Sequence, residues 1–134
     1  MAQIVTALIT VTLSIFVGVF AWVATNFFAE PLLYFHKRRR AIRETMLYAA
    51  NVGEGQPDIY NATYDELRRH AAAMDALDET APRAVKALLG WQGFSMSEAK
   101  TGLIGFSNNL ATYDGSRGVF RERIRKALLF RGEF

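Results

Sequence analysis

The chain of 134 residues contains no cysteine and only two histidines, His36 and His70. The absence of cysteine excludes disulfide bonds, cysteine-ligated zinc and thiol catalysis, and it fits a reducing compartment. Two histidines are too few for a multi-histidine metal site within one chain. We therefore expect no metal and no cofactor, and the composition favours a protein that is not an enzyme.

The first 29 residues also lack any charged side chain. Within them, the run from Ile4 to Phe28 holds 14 Ile, Val, Leu or Phe residues among its 25 positions. A helix of that length reaches about 37 Å, which exceeds a hydrocarbon core of about 30 Å. The run is too long, and Met1 to Gln3 too poor in basic residues, for a cleaved signal peptide. The sequence predicts a single transmembrane helix over residues 1–30.

The basic residues predict the orientation of that helix. All 16 Lys and Arg residues follow Pro31, and basic residues next to a span are retained on the cytoplasmic side. We expect the amino terminus outside and the rest of the chain in the cytoplasm, at a plasma membrane or bacterial inner membrane. The residues closest to the span are predicted to meet the lipid bilayer surface and its anionic headgroups; they are Lys37, Arg38, Arg39, Arg40 and Arg43.

One face of the predicted span differs from the others because its side chains are small or carry hydroxyls. At about 100° per residue they form one stripe: Ala7, Thr10, Ser14, Gly18, Ala21 and Thr25. Small residues permit the close backbone approach through which helices associate in lipid. The stripe predicts a neighbouring helix, either a second copy or another protein. Such residues also occur in single spans without a partner.

No segment alternates polar and apolar residues with a period of two for long enough to predict a strand. The sequence therefore predicts an all-α protein, with one transmembrane helix followed by a small cytoplasmic bundle of about five helices. Residues 31–50 are assigned to a juxtamembrane basic helix that restarts at Glu30-Pro31, and residues 51–134 to the cytoplasmic helical domain.

Turn and capping signals divide the cytoplasmic domain. Asn51 to Asn61 is predicted to be a loop, with the most flexible joint between Gly53 and Pro57. Thr63 with Glu66 has capping-box spacing and predicts a helix start, as does Ser95 with Glu98. Pro82 predicts a break, and a further loop is expected over Tyr113 to Ser116.

Two late amphipathic helices supply apolar faces that we interpret as surfaces for a partner. Gly102 and Gly105 flank the first face and permit close helix contact. The candidate partner-facing residues are Met96, Leu103, Phe106, Phe120, Ile124 and Leu128.

The carboxyl-terminal segment Arg117 to Arg131 holds six basic residues and one acidic residue. Three contacts are open to it, with the membrane surface, with the acidic middle of the chain or with nucleic acid, and a solvated basic face is the favoured interpretation. Nucleic acid is disfavoured because no recognition module accompanies the basic residues.

Catalytic candidates are few. Glu66 and His70 stand one helical turn apart, a spacing at which a carboxylate can orient an imidazole, although a packed structural histidine is the favoured interpretation. Asn108 and Asn109 either bond another helix or face water.

These patterns favour a single-pass, membrane-anchored, non-enzymatic subunit or scaffold that associates with itself or with a larger membrane protein complex. The alternative is a membrane-disrupting effector, whose helical domain senses a signal and whose span oligomerises. An enzyme that uses Glu66 and His70 is the third hypothesis.

Overall fold

A computed structural model describes residues 1–50, 52, 57–112 and 115–132, and these residues are all-helical. The helices are α1 (Ala2–Ala24), α2 (Glu30–Ala50), α3 (Pro57–Thr80), α4 (Arg83–Trp91), α5 (Met96–Asn108) and α6 (Gly115–Ala127). A π-helical turn, Thr25–Ala29, joins α1 to α2 without a break. The predicted fold class is confirmed: an apolar amino-terminal helix followed by a helical bundle.

The predicted restart at Glu30-Pro31 coincides with the start of α2, but no break separates α2 from the apolar helix, because one helix runs from Ala2 to Ala50. Proline lacks an N–H and its ring collides with the carbonyl four residues earlier in a regular α-helix. The π-helical turn changes that spacing: the Glu30 N–H donates to the Thr25 carbonyl, five residues back. Local π geometry of this kind lets a proline sit within a continuous helix.

The helix predicted to begin at Thr63 begins six residues earlier, at Pro57. Thr63 is buried inside α3, and its hydroxyl donates to the Ile59 carbonyl at 2.8 Å rather than capping a helix. Proline is favoured in a first helical turn, which explains the earlier start. Of the predicted loops, residues 51, 53–56, 113 and 114 lie outside the described residues, whereas Gly115 and Ser116 belong to α6.

Two other predicted boundaries are confirmed. Pro82 takes an extended conformation between α3 and α4, with φ −55° and ψ 144°. Ser95 caps α5, its hydroxyl accepting a hydrogen bond from the Glu98 N–H at 3.3 Å. The Glu98 carboxylate does not complete the capping box, because it pairs with Arg123 of α6 at 2.5 Å.

The core lies among α2 to α6, and α4 contributes the buried Val85 and Leu89. Helix α3 packs against α2 on one side and α5 on the other, and α6 packs against α5. Helix α2 contributes Phe35, Ile42, Met46 and Ala49 to this core, so the helix predicted over residues 31–50 is also part of the bundle. Full burial of an Ile, Phe or Met side chain contributes about 1.5–3 kcal/mol, which makes α2 a principal element of the fold.

The predicted partner-facing residues require a correction. Met96, Leu103, Phe106, Ile124 and Leu128 are buried in the core of this chain, and Phe120 is half-buried against it. Their apolar faces cover one another and α3, as amphipathic helices do when a chain supplies its own partner. They therefore offer almost no surface to another protein.

The close approach of α5 and α6 depends on Gly102 and Gly105, as the sequence predicts. A Cβ on Gly102 would lie 2.7 Å from Ile124 Cγ1 and 3.3 Å from the Ile124 nitrogen, and a Cβ on Gly105 would overlap the Phe120 ring. Only glycine fits at this crossing.

We expect Gly105→Ala to destabilise the bundle by about 1–3 kcal/mol, the usual cost of overpacking a core. The gain in helix propensity, about 1 kcal/mol, offsets only part of that loss. The matched control is Gly118→Ala in α6, where nothing lies within 4 Å of the new methyl group. Chemical unfolding of the full chain in uncharged detergent checks both variants. A Gly105→Ala variant as stable as the control would contradict the described packing.

Candidate functional site

The apolar helix exposes its small-residue stripe to the surroundings. No residue of α1 is buried, and nothing lies within 4 Å of a Cβ built on Gly18. A shallow groove at the amino-terminal end of the stripe is lined by Gln3, Ala7 and Thr10, among others. The helix is long and apolar enough to cross a membrane, and the stripe is open along its length.

The hydroxyls of α1 are satisfied within the helix. Thr10 donates to the Thr6 carbonyl at 2.9 Å, and Ser14 donates to the Thr10 carbonyl at 2.9 Å. Hydroxyls that bond the carbonyl four residues back need no other partner in an apolar medium. Association through this stripe would therefore rest mainly on close packing at the small residues Ala7, Gly18 and Ala21.

Part of the bundle contacts the end of the apolar helix. Helix α4 contacts the π-helical turn, and the end of α3 forms a cleft of about 290 Å³ with Glu30, Pro31 and Tyr34. Trp91, at the end of α4, is 85% exposed, and Leu33 of α2 is 70% exposed. Helices α2 and α4, which both contact the π-helical turn, thus each carry a large exposed apolar side chain.

The five residues predicted to lie at the membrane surface differ in their surroundings. Lys37, Arg40 and Arg43 are exposed. Arg38 is half-buried, and its guanidinium lies 5.3 Å from the centre of the Tyr34 ring and donates to the Tyr34 hydroxyl at 3.2 Å.

Arg39 has a structural role that the sequence did not reveal. Its guanidinium donates to the Leu128 carbonyl at 2.6 Å and to the Leu129 carbonyl at 2.9 Å. It also stacks near the rings of Phe94 and Phe130, at 5.3 and 5.2 Å. Burial, and then the nearby charge of Arg43, lower the pKa of Arg39. Arg39 therefore holds the carboxyl-terminal segment against α2.

This attachment creates a basic cleft between α2 and the carboxyl-terminal segment. The cleft has a volume of about 410 Å³. Its lining contains four arginines and a histidine, and none of its described lining residues is acidic; they are His36, Arg39, Arg40, Arg43, Leu129, Phe130 and Arg131.

The carboxyl-terminal basic segment is partly used inside the bundle. Arg117 donates to the Leu110 carbonyl at 3.2 Å and also to the Ala49 carbonyl, at the end of α2. A cation is favourable at that position because the end of a helix is partly negative. Arg123 pairs with Glu98 of the acidic middle of the chain, as one of the three predicted arrangements requires.

Asn108 and Asn109 both bond within the chain. Asn108 accepts from Arg68 of α3 at 2.6 Å, and Asn109 donates to the Gly105 carbonyl at 2.8 Å. The Asn109 side-chain oxygen also accepts from Ser116 at 3.1 Å. The two amides therefore fasten α5 to α3 and to the start of α6.

His70 is buried between α2 and α3 and is 3% exposed. Its Nε2 lies 3.0 Å from the Thr45 hydroxyl oxygen, whereas its Nδ1 has no hydrogen-bond partner among the described residues. Glu66 is exposed one turn away. Burial lowers the pKa of His70, Glu66 raises it, and Arg38 and Arg69 lower it further.

Comparisons of the chain with protein-family models, with curated proteins and with solved structures found no match. Among the described residues, no group of three or more His, Cys, Asp or Glu side chains is placed to hold a metal ion. The candidate functional surfaces are therefore the exposed stripe of α1, the apolar side chains at its end, and the basic cleft.

The His70 geometry predicts a dependence of stability on pH. Because the pKa of His70 is lower in the fold than its usual 6.5, the unfolded chain binds the proton more readily. The free energy of unfolding should be highest above pH 6.5 and should fall as the pH drops below that value. Thermal unfolding in uncharged detergent between pH 7.5 and 5.5 measures this loss, and His70→Gln should flatten it.

The control is His36→Gln, which removes the other, exposed imidazole, and its comparison with His70→Gln isolates the contribution of the buried side chain. An equal slope in wild type and His70→Gln would show that His70 does not carry the effect.

Proposed function

We propose that this chain is a single-pass, membrane-anchored, non-enzymatic subunit that associates through its span with a second copy or with another membrane protein. Its amino terminus faces outward, and its bundle lies at the cytoplasmic surface of a plasma or bacterial inner membrane. The observation that carries the proposal is the uninterrupted helix Ala2–Ala50, which is fully exposed in its apolar half and forms part of the core in its other half.

The exposed half supports membrane insertion. Fourteen strongly apolar side chains between Ile4 and Phe28 each favour a bilayer interior by about 0.3–0.6 kcal/mol, which sums to about 4–8 kcal/mol. In water, the apolar side chains of α1 would be exposed to solvent, because no residue of α1 is buried against the bundle. A bilayer supplies that cover, and the basic residues after Pro31 then favour a cytoplasmic bundle.

The stripe supports lateral association. Its small side chains leave the helix surface open at Gly18, while larger side chains such as Phe16 and Phe20 project elsewhere. Hydrophobic burial does not drive association in lipid, so close backbone packing is the main source of affinity. The alternative of a membrane-disrupting effector has less support, since the span contains no ionisable side chain to line a pore.

Introduced cysteines test orientation and association together, because the natural chain contains none. In intact cells, an impermeant maleimide should label Gln3→Cys but not Thr101→Cys, which is exposed on α5. Under oxidation, Ala7→Cys on the stripe should form an intermolecular disulfide, or a cross-link to a partner with a bifunctional maleimide. Val5→Cys, on the opposite face, is the matched control and should react far less.

The variant Gly18→Ile should reduce the Ala7→Cys cross-link by about tenfold, because the added side chain separates the backbones. Val19→Ile adds bulk away from the stripe and should leave the yield unchanged. Equal cross-linking from Ala7→Cys and Val5→Cys would contradict association through the stripe, and labelling of Thr101→Cys in intact cells would contradict the orientation.

The exposed Trp91 supports a bundle that rests on the bilayer surface. Helix α4 contacts the π-helical turn, and Ala84, Ala87 and Trp91 share its exposed face. Tryptophan prefers the boundary between lipid and water, where its ring is in an apolar layer and its N–H stays hydrated. We expect Trp91 to lie in the interface.

Trp91 can be observed alone in the variant Trp22→Phe, because the chain has two tryptophans. In vesicles, its fluorescence should shift to shorter wavelength and be quenched by lipids brominated near the headgroup. The matched control Trp91→Phe leaves Trp22, which should be quenched by lipids brominated deeper in the chains. Fluorescence of Trp91 typical of water, with no quenching, would contradict the proposed position of the bundle.

A further inference from the structure

The basic cleft gathers positive charge from two distant parts of the chain. On α2, His36, Arg40 and Arg43 lie at intervals of four and three residues, which places them on one helix face. The attachment of Leu128 and Leu129 to Arg39 brings Arg131 to the same cleft. The fold thus concentrates charges that the sequence separates by about 90 residues.

These charges are not neutralised by the described part of the chain. Arg40, Arg43 and Arg131 have no ion pair with a described carboxylate, whereas Arg123 and Arg125 each have one. Arg39, which shares the cleft, is already occupied by two carbonyls and lies under two aromatic rings. Like charges held together repel, so an anion that enters the cleft gains attraction from several arginines at once.

The cleft also lies close to the proposed membrane surface. Along a helix, His36, Arg40 and Arg43 lie about 3, 9 and 14 Å beyond Tyr34. The headgroup layer on each side of a bilayer is about 5–8 Å thick, and arginine side chains reach several ångströms back toward it. Leu129, at the rim of the cleft, is 42% exposed and provides an apolar contact for the glycerol or acyl part of a lipid.

We propose that the cleft of His36, Arg40, Arg43 and Arg131 binds a phosphate group, in the first place the phosphate of an anionic membrane lipid. Planar guanidinium groups match phosphate oxygens with paired N–H donors, and a cleft of about 410 Å³ accommodates a phosphate with its ester substituent. A soluble phosphate ester presents the same chemistry and is the other source. The lipid form rests on the proposed membrane anchorage, whereas phosphate binding itself does not.

Thermal unfolding of the full chain in dodecyl maltoside micelles tests the proposal in two arms. One arm adds phosphatidic acid to the micelles, with phosphatidylcholine as the zwitterionic reference. The other arm adds inorganic phosphate, with chloride at the same ionic strength as reference. Phosphatidic acid should raise the unfolding temperature in a saturable way, and far more than phosphatidylcholine does.

The test variant is Arg40→Gln/Arg43→Gln. Both side chains are exposed and outside the core, so the variant should fold, and in phosphate-free buffer it should be at least as stable as wild type because charge repulsion is relieved. Its apparent affinity for phosphatidic acid should fall by about tenfold or more, as expected for the loss of two charge-assisted contacts. The matched control Arg69→Gln/Lys126→Gln removes two exposed cations elsewhere and should bind as wild type.

Each outcome decides the proposal. A saturable response to phosphatidic acid that the test variant loses supports a lipid site, and the same pattern with inorganic phosphate alone supports a site for soluble phosphate. A response that both double variants lose equally would reveal general attraction to the basic surface and would overturn the site. No response in either arm would also overturn it, and it would leave the cysteine tests of anchorage unaffected.

Discussion

The structure depends on one backbone constraint, the continuity of the helix from Ala2 to Ala50. Its first half presents apolar side chains outward on every face, and its second half turns Phe35, Ile42, Met46 and Ala49 into the core of the bundle. Because no joint separates the halves, the direction of the first fixes the position of the second. The π-helical turn Thr25–Ala29 changes how the side chains of α2 are oriented relative to those of α1. One extra residue in a turn rotates the side chains that follow it by about 100° around the helix axis, compared with a regular α-helix.

Two arginine side chains connect α2 to α6 and to the segment that follows α6. Helix α6 packs on α5, and its two ends are joined to α2, by Arg117 at the Ala49 carbonyl and by Arg39 at the Leu128 and Leu129 carbonyls. The pairs 49 with 117 and 39 with 128 show that α6 runs antiparallel to α2. Exposed ion pairs such as that of Lys100 with Asp75 contribute about 0–1 kcal/mol. Bonds from a half-buried guanidinium to carbonyls contribute more, about 1.5–3 kcal/mol each.

The sequence predicts local features of this fold better than their arrangement. Pro82 and Ser95 act through their own backbone and neighbours, so the break and the cap were predictable. The start of α2 at Glu30 was predictable from Pro31, whereas the π-helical turn that keeps the helix continuous was not, because proline alone does not indicate it. The faces of α5 and α6 were recognisable as amphipathic, yet periodicity cannot tell whether the same chain or another covers a face.

The role of Arg39 depends on residues about 90 positions away, and a run of four basic residues gives no sign of which one turns inward.

The burial of the α5 and α6 faces changes where recognition can occur. With those apolar surfaces satisfied inside the chain, the largest continuous unpartnered apolar surface among the described residues is α1. On the proposed anchorage, lipid covers α1, and the selectivity of α1 for a partner helix would then come mainly from the shape of its small side chains, since the hydroxyls of Thr10 and Ser14 are already bonded within the helix. The proposed phosphate site would add a second, electrostatic contact with the same membrane. On these two proposals, lipid around α1 and phosphate in the basic cleft would together restrain the tilt and rotation of one continuous helix more than either contact alone, and the stripe would face a neighbour in a defined direction.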